Sequence, residues 1–220
     1  METELFFNES IANFQKSSPL FFIFTCYDIA VKNSRSEETQ VAKIYISLIK
    51  TKSPIGRLAS FIKRDEVTHA AISLDKNLYT LHGFGRRSSW IPIIAGFRKE
   101  TYSAGYYGRL KTLPGIVLEM DVTEAQYNKA VQIVSSFARN QNKYHYSITK
   151  LISNLFNIEV QNNNSFICSE FVAYVLQKAD IMNFTIPLNL VRPQVLFQEL
   201  IKRQAIPVYQ GDMKQYGVTA

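Results

Sequence analysis

Residues 115–137 spell out a strand that runs straight into a helix, which limits the chain to folds in which helices pack on a sheet. Ile116-Val117-Leu118-Glu119-Met120 is a largely apolar run of strand length. Just after it, Thr123-Glu124-Ala125-Gln126 reads as a capping box, in which the hydroxyl and the amide each satisfy a free N–H of the first helical turn. Tyr127, Ala130, Val131, Val134 and Phe137 follow at helical spacing and leave an apolar stripe that needs a sheet to cover it. Further strands are expected over 20–31, 41–48 and 205–209, with two short ones around His69 and His82. Helices are expected over 1–17, 54–63 and 147–155, from about Cys168 onward, and from Pro193 to 200. The expected class is α+β, an antiparallel sheet packed against helices. No repeat, low-complexity segment or long linker divides the 220 residues. Residues 41–220 are therefore read as the main body, with 1–40 as an N-terminal extension of helix and strand within the same domain.

Cys168 is the residue in this frame with the most chemistry to offer. Asn162-Asn163-Asn164-Ser165 reads as a loop, and Phe171, Val172, Val175 and Leu176 recur at helical spacing behind it. The cysteine thus falls at or just before the first turn of a mostly buried helix. Free N–H groups and the helix dipole stabilise an anion there, so a thiol ionises more readily than usual. Packing alone is the competing account, since free cysteines are among the most buried residues.

A thiolate needs a base, and Val67-Thr68-His69-Ala70-Ala71-Ile72-Ser73-Leu74 offers one on a strand that ends at Asp75-Lys76-Asn77. A second strand follows through Leu78-Tyr79-Thr80-Leu81-His82. If Asp75 and Lys76 form a two-residue turn, His69 and His82 become direct cross-strand neighbours; a turn one residue longer brings Gly83 there instead. An imidazole beside a second polar side chain is the arrangement a thiolate–imidazolium site requires, and a purely structural strand histidine is the alternative.

Three segments together carry a family resemblance. Lys43-Ile44-Tyr45-Ile46-Ser47-Leu48 is followed by Ile55-Gly56-Arg57-Leu58-Ala59-Ser60-Phe61. Thr68-His69-Ala70-Ala71-Ile72-Ser73-Leu74-Asp75 leads into Phe84-Gly85-Arg86-Arg87 and Ala95-Gly96-Phe97. Phe166-Ile167-Cys168-Ser169-Glu170-Phe171-Val172 is the third. With the histidine strand ahead of the cysteine helix, the chain resembles the circularly permuted branch of the NlpC-type papain-like cysteine hydrolases. It is most similar there to the bacterial YaeF/YiiX-like proteins, and more distantly to lecithin:retinol acyltransferase. The resemblance spans about residues 43–180. It implies a permuted papain-like fold, Cys168 as nucleophile, His69 as general base and an acyl-enzyme thioester. Relatives on the retinol acyltransferase side carry a second histidine about this far along, which points to His82 as the third member. Bacterial relatives with the Phe-Gly-Arg run often have another residue there. The substrate expected is a small molecule, peptide or lipid. Cleavage of an amide bond leads; a lipid acyl hydrolase or acyltransferase and a non-catalytic binding module are the alternatives.

Composition narrows the partners. Hydrophobic residues at 46% and charged residues at 20% exclude a disordered chain. The two cysteines, Cys26 and Cys168, lie far apart, and no short-spaced Cys or His pairs occur, so neither a zinc site nor another cofactor is expected, nor a disulfide framework. Cys26, in an apolar run, reads as a core thiol, and His145 as a capping or surface residue. A net charge of +7 favours anionic partners in general, but no nucleic-acid motif accompanies it. Ser88-Ser89-Trp90-Ile91-Pro92-Ile93-Ile94-Ala95, flanked by Arg86, Arg87, Arg98 and Lys99, suits an anionic membrane surface, the cleft wall or the core. Met1-Glu2-Thr3-Glu4 is acidic where a signal peptide is basic, and 20–24 is too short to span a bilayer, so a cytoplasmic location is expected.

Overall fold

The computed structural model describes residues 41–51, 63, 65–86 and 95–216. The expected elements over 1–17, 20–31 and 54–62, Cys26, and residues 88–94 with Trp90 lie outside the described residues.

Eight strands form one sheet among the described residues. They are β1 (Val41–Ile49), β2 (His69–Ser73), β3 (Leu81–Arg86), β4 (Ala95–Glu100), β5 (Pro114–Thr123), β6 (His145–Tyr146), β7 (Ser165–Phe166) and β8 (Ile206–Asp212). Their order across the sheet is β7-β6-β4-β3-β2-β1-β5-β8. Every neighbouring pair is antiparallel except β6 and β7. Among the described residues, four helices of two turns or more accompany them: α1 (Glu124–Arg139), α2 (Ile148–Leu155), α3 (Cys168–Lys178) and α4 (Pro193–Lys202), with a single turn at Gly105–Gly108. The fold is α+β.

The centre of the sheet is buried on both faces, which explains why β1 and the middle of β5 read as largely apolar runs. On one face Ile44, Ile46, Ile72, Phe84, Phe97 and Leu118 meet Val134 and Phe137 of α1 and Phe171 and Val172 of α3. On the other, Tyr45, Ile49, Ala71 and Leu81 pack under Tyr102, Tyr107, Leu113 and Met213. The capping box of α1 forms as expected: Thr123 Oγ1 accepts the Gln126 N–H at 3.2 Å, and Gln126 Oε1 accepts the Thr123 N–H at 3.0 Å. Ser147 caps α2 through the Lys150 N–H at 3.0 Å, and Pro193 opens α4 where a missing N–H costs nothing.

The β2–β3 connection differs from expectation. Asp75 does not sit in a two-residue turn. Its Oδ1 accepts the Asn77 N–H at 3.1 Å, its Oδ2 the Tyr79 N–H at 2.8 Å, and Leu78 takes a positive φ of 54°. This carboxylate-pinned loop is longer than the tight turn, and β3 begins only at Leu81. A two-residue turn would set Ile72 against Tyr79; Ile72 instead sits against His82, three residues further on. Side chains alternate faces along a strand, so an odd offset turns His82 to the other side of the sheet. β4 is an element the sequence reading did not identify, because glycine, lysine and glutamate are depleted in strands.

Candidate active site

Cys168 is held by packing on both sides of it in the chain. Phe166 and Phe171 place their rings 5.3 and 5.4 Å from Phe84, and Phe171 lies 5.0 Å from Phe137. The N-cap of α3 is Ile167, whose side chain accepts nothing; Glu170 compensates by accepting the Ile167 N–H through Oε2 at 3.1 Å. Its other oxygen meets the buried Lys150 ammonium at 2.6 Å, and Lys150 also donates to the Ser165 and Asn162 carbonyls at 2.7 and 2.8 Å. One buried lysine thus ties α2, the Asn162–Ser165 loop and the first turn of α3 together. Burial lifts the Glu170 carboxyl above its ordinary range even against the Lys150 charge.

His69, the first residue of β2, brings its ring to the thiol. Its Nε2 is 2.9 Å from Glu100 Oε2, which leaves Nδ1 for the hydrogen bond with Cys168. Cys168, His69 and Glu100 are 5%, 8% and 2% exposed. Glu100, at the end of β4, also accepts from Tyr107 Oη at 3.2 Å, while Arg98 Nε stands 3.6 Å from its Oε1. Gly85 makes room for this junction, since a Cβ there would lie 2.6 Å from Glu100 Oε1.

The charges reinforce one another. Burial by itself drives the His69 pKa down, but the Glu100 carboxylate and the Cys168 sulfur outweigh it and raise the ring to about 10. Burial by itself drives the Cys168 thiol up; the His69 charge and hydrogen bond, with N–H donors from Ala70 and Ser169, bring it below an ordinary thiol. Glu100 is likewise lowered, because His69 and Arg98 offset its burial. All three shifts run in the direction that favours a thiolate beside an imidazolium, with an ionised carboxylate behind the ring.

Of the expected residues, the structure brings Cys168 and His69 together and leaves His82 out. His82 packs on the helix-covered face, its ring stacked on Phe97 at 6.2 Å and its Nδ1 buried without a partner among the described residues. Glu100 occupies the third position that the sequence reading gave to His82. The available signal was Arg98 and Glu100 two residues apart, on one face of a strand opening with Ala-Gly-Phe. His145 is exposed, as a surface residue would be.

Burial and the nearby Lys99 depress the His82 pKa to about 4. A histidine ordinarily titrates near 6.5, so the unfolded chain takes up this proton first. Stability contributed by neutral His82 is therefore lost as pH falls from about 6.5 towards 4, and changes no further below that. In His82→Phe this part of the pH dependence should vanish from the urea midpoint. The same acid slope in both proteins would contradict it.

A cavity of about 160 Å³ opens beside Cys168 and His69. Val67, Ile148, Leu151 and Leu155 form apolar walls, and Asp65 and Arg192 supply charge. No helix among the described residues is long and apolar enough to cross a membrane. No protein-family model, no curated protein and no solved structure matches this chain.

Proposed function

We propose that the chain is a cysteine-dependent hydrolase of amidase or peptidase type on a permuted papain-like fold. The observation that carries this reading is one buried imidazole bridging Glu100 at 2.9 Å and the Cys168 thiol, at the edge of a cavity. The chain order, with the histidine on β2 and the cysteine on α3, supports the permuted arrangement.

The Cys168 thiolate attacks the acyl carbonyl carbon, and the carbonyl electron pair moves onto oxygen. The Cys168 N–H, as the first of α3, has no partner within the helix and is the donor proposed for that oxyanion. Collapse expels the amine or alcohol, which takes the His69 proton, and a thioester remains. His69, now neutral, removes a proton from water as it attacks; the second collapse releases the acid and restores the pair. Glu100 stays ionised and holds the ring with Nδ1 toward sulfur. A lipid acyl hydrolase or acyltransferase is the second reading, favoured by the apolar cavity walls.

A chromogenic p-nitrophenyl acyl ester tests the shared chemistry. A stoichiometric burst of p-nitrophenol should accompany an acyl mass increment on the peptide containing Cys168, and both should be lost in Cys168→Ala. Acylation confined to Cys26 or to lysines would rule the reading out.

A further inference from the structure

Arg192 stands at the N-cap of α4, lines the cavity that holds Cys168, and is 20% exposed. Its Nε donates to Asp65 Oδ2 at 3.1 Å. Asp65 is itself fixed, because Gln194 Oε1 accepts the N–H groups of the next two residues, Glu66 and Val67, at 3.0 and 3.3 Å. Among the described residues the two terminal nitrogens of the guanidinium have no hydrogen-bond partner. A mostly buried cation, anchored at one nitrogen and with no protein partner among the described residues at the other two, is a pre-set fork for a planar anion. We propose that Arg192 is a specificity-determining residue that binds a carboxylate carried by the substrate, in the same cavity in which Cys168 attacks the acyl group. This rests on the nucleophile reading above. Asp65 takes up Nε, so what the guanidinium offers a ligand is its pair of terminal N–H groups, the fork that a planar carboxylate meets with two parallel hydrogen bonds. The substrate class is thus an acyl compound with an apolar portion against Leu151 and Leu155 and a carboxylate within reach of Arg192.

Matched electrophiles test this without a known substrate. N-chloroacetylglycine and its β-alanine and γ-aminobutyrate homologues are compared with their primary amides for labelling of Cys168. Sulfur displaces chloride from the CH₂ carbon in each case, so the pairs differ only in charge. At one chain length or more the carboxylate should label faster than its amide. Arg192→Gln should lower that carboxylate-over-amide ratio about tenfold, equivalent to ~1.4 kcal/mol. A ratio unchanged by the substitution at all three lengths overturns the assignment. If no reagent labels Cys168 faster than a free thiol at the same pH, the nucleophile reading fails and this inference with it. Should Arg192→Gln not fold, the native chain decides: N-acetylglycine should protect Cys168 from iodoacetamide and N-acetylglycinamide should not. Equal protection, or better protection by ethyl phosphate, overturns the carboxylate.

Discussion

At pH 6 the native Cys168 should react with iodoacetamide about tenfold faster than the same thiol in His69→Ala, and the gap should close as pH rises past the ordinary thiol range. Cys26→Ser serves as the background, so one thiol is read. The sign follows from the two shifts. The lowered Cys168 pKa sets the acid limit of the thiolate–imidazolium form, and the raised His69 pKa, about 10, sets its alkaline limit. Without the imidazolium, the burial that was outweighed acts alone and pushes the thiol up. An ordinary thiol with a pKa of about 8.5 is less than ~1% ionised at pH 6. Population alone would give a several-hundredfold loss, but a less acidic thiol yields a stronger nucleophile. A Brønsted slope of about 0.4–0.5 returns roughly half of the effect on a logarithmic scale. The net change is therefore nearer tenfold, and its decay with pH distinguishes lost ionisation from a damaged site. A pH profile identical in both proteins would remove the basis for a Cys168–His69 pair.

How far such a site could be read from sequence depended on whether each residue's place was set locally. Cys168 follows a polar loop and precedes an apolar helical stripe, so its position at the start of α3 is fixed by its own neighbours. The α1 capping box is local in the same way. His69 was legible as a strand residue ahead of turn-forming side chains. The third member was not, because it depends on register. The Asp75 carboxylate closes a longer loop than the tight turn expected, and an offset of three residues carries His82 to the opposite face. Glu100 reaches His69 through a strand whose composition argues against a strand, and from a pairing, Leu81 with Glu100, that exists only once the β3–β4 register is set. Lys150 was hidden similarly: a lysine in a short amphipathic helix reads as solvent-facing, yet it lies buried at the centre of the network that holds the loop before Cys168.

Glu100→Gln should cut turnover heavily while leaving both the nucleophile and the base in place, provided the fold is kept. Glutamine preserves the size of the side chain and its contact with Nε2 while removing the charge. The carboxylate is 2% exposed, so its attraction for the His69 imidazolium is little screened by water. Removing it lets the burial of His69 lower the ring pKa. The imidazolium is then less populated, and the Cys168 thiol rises. The midpoint of the alkylation profile should therefore move to higher pH, in the same direction as in His69→Ala but by less. Acyl transfer should fall by roughly a hundredfold or more, because the amide also allows the wrong ring tautomer and fails to stabilise the imidazolium between steps. Tyr107→Phe provides the contrast. It deletes only the 3.2 Å hydrogen bond to Glu100 Oε2 and keeps the charge, so its effect on the profile should be small. If Glu100→Gln leaves the midpoint where it is while His69→Ala shifts it, then Glu100 merely fills space behind the ring, and the pair draws its ionisation from the Ala70 and Ser169 N–H groups at sulfur.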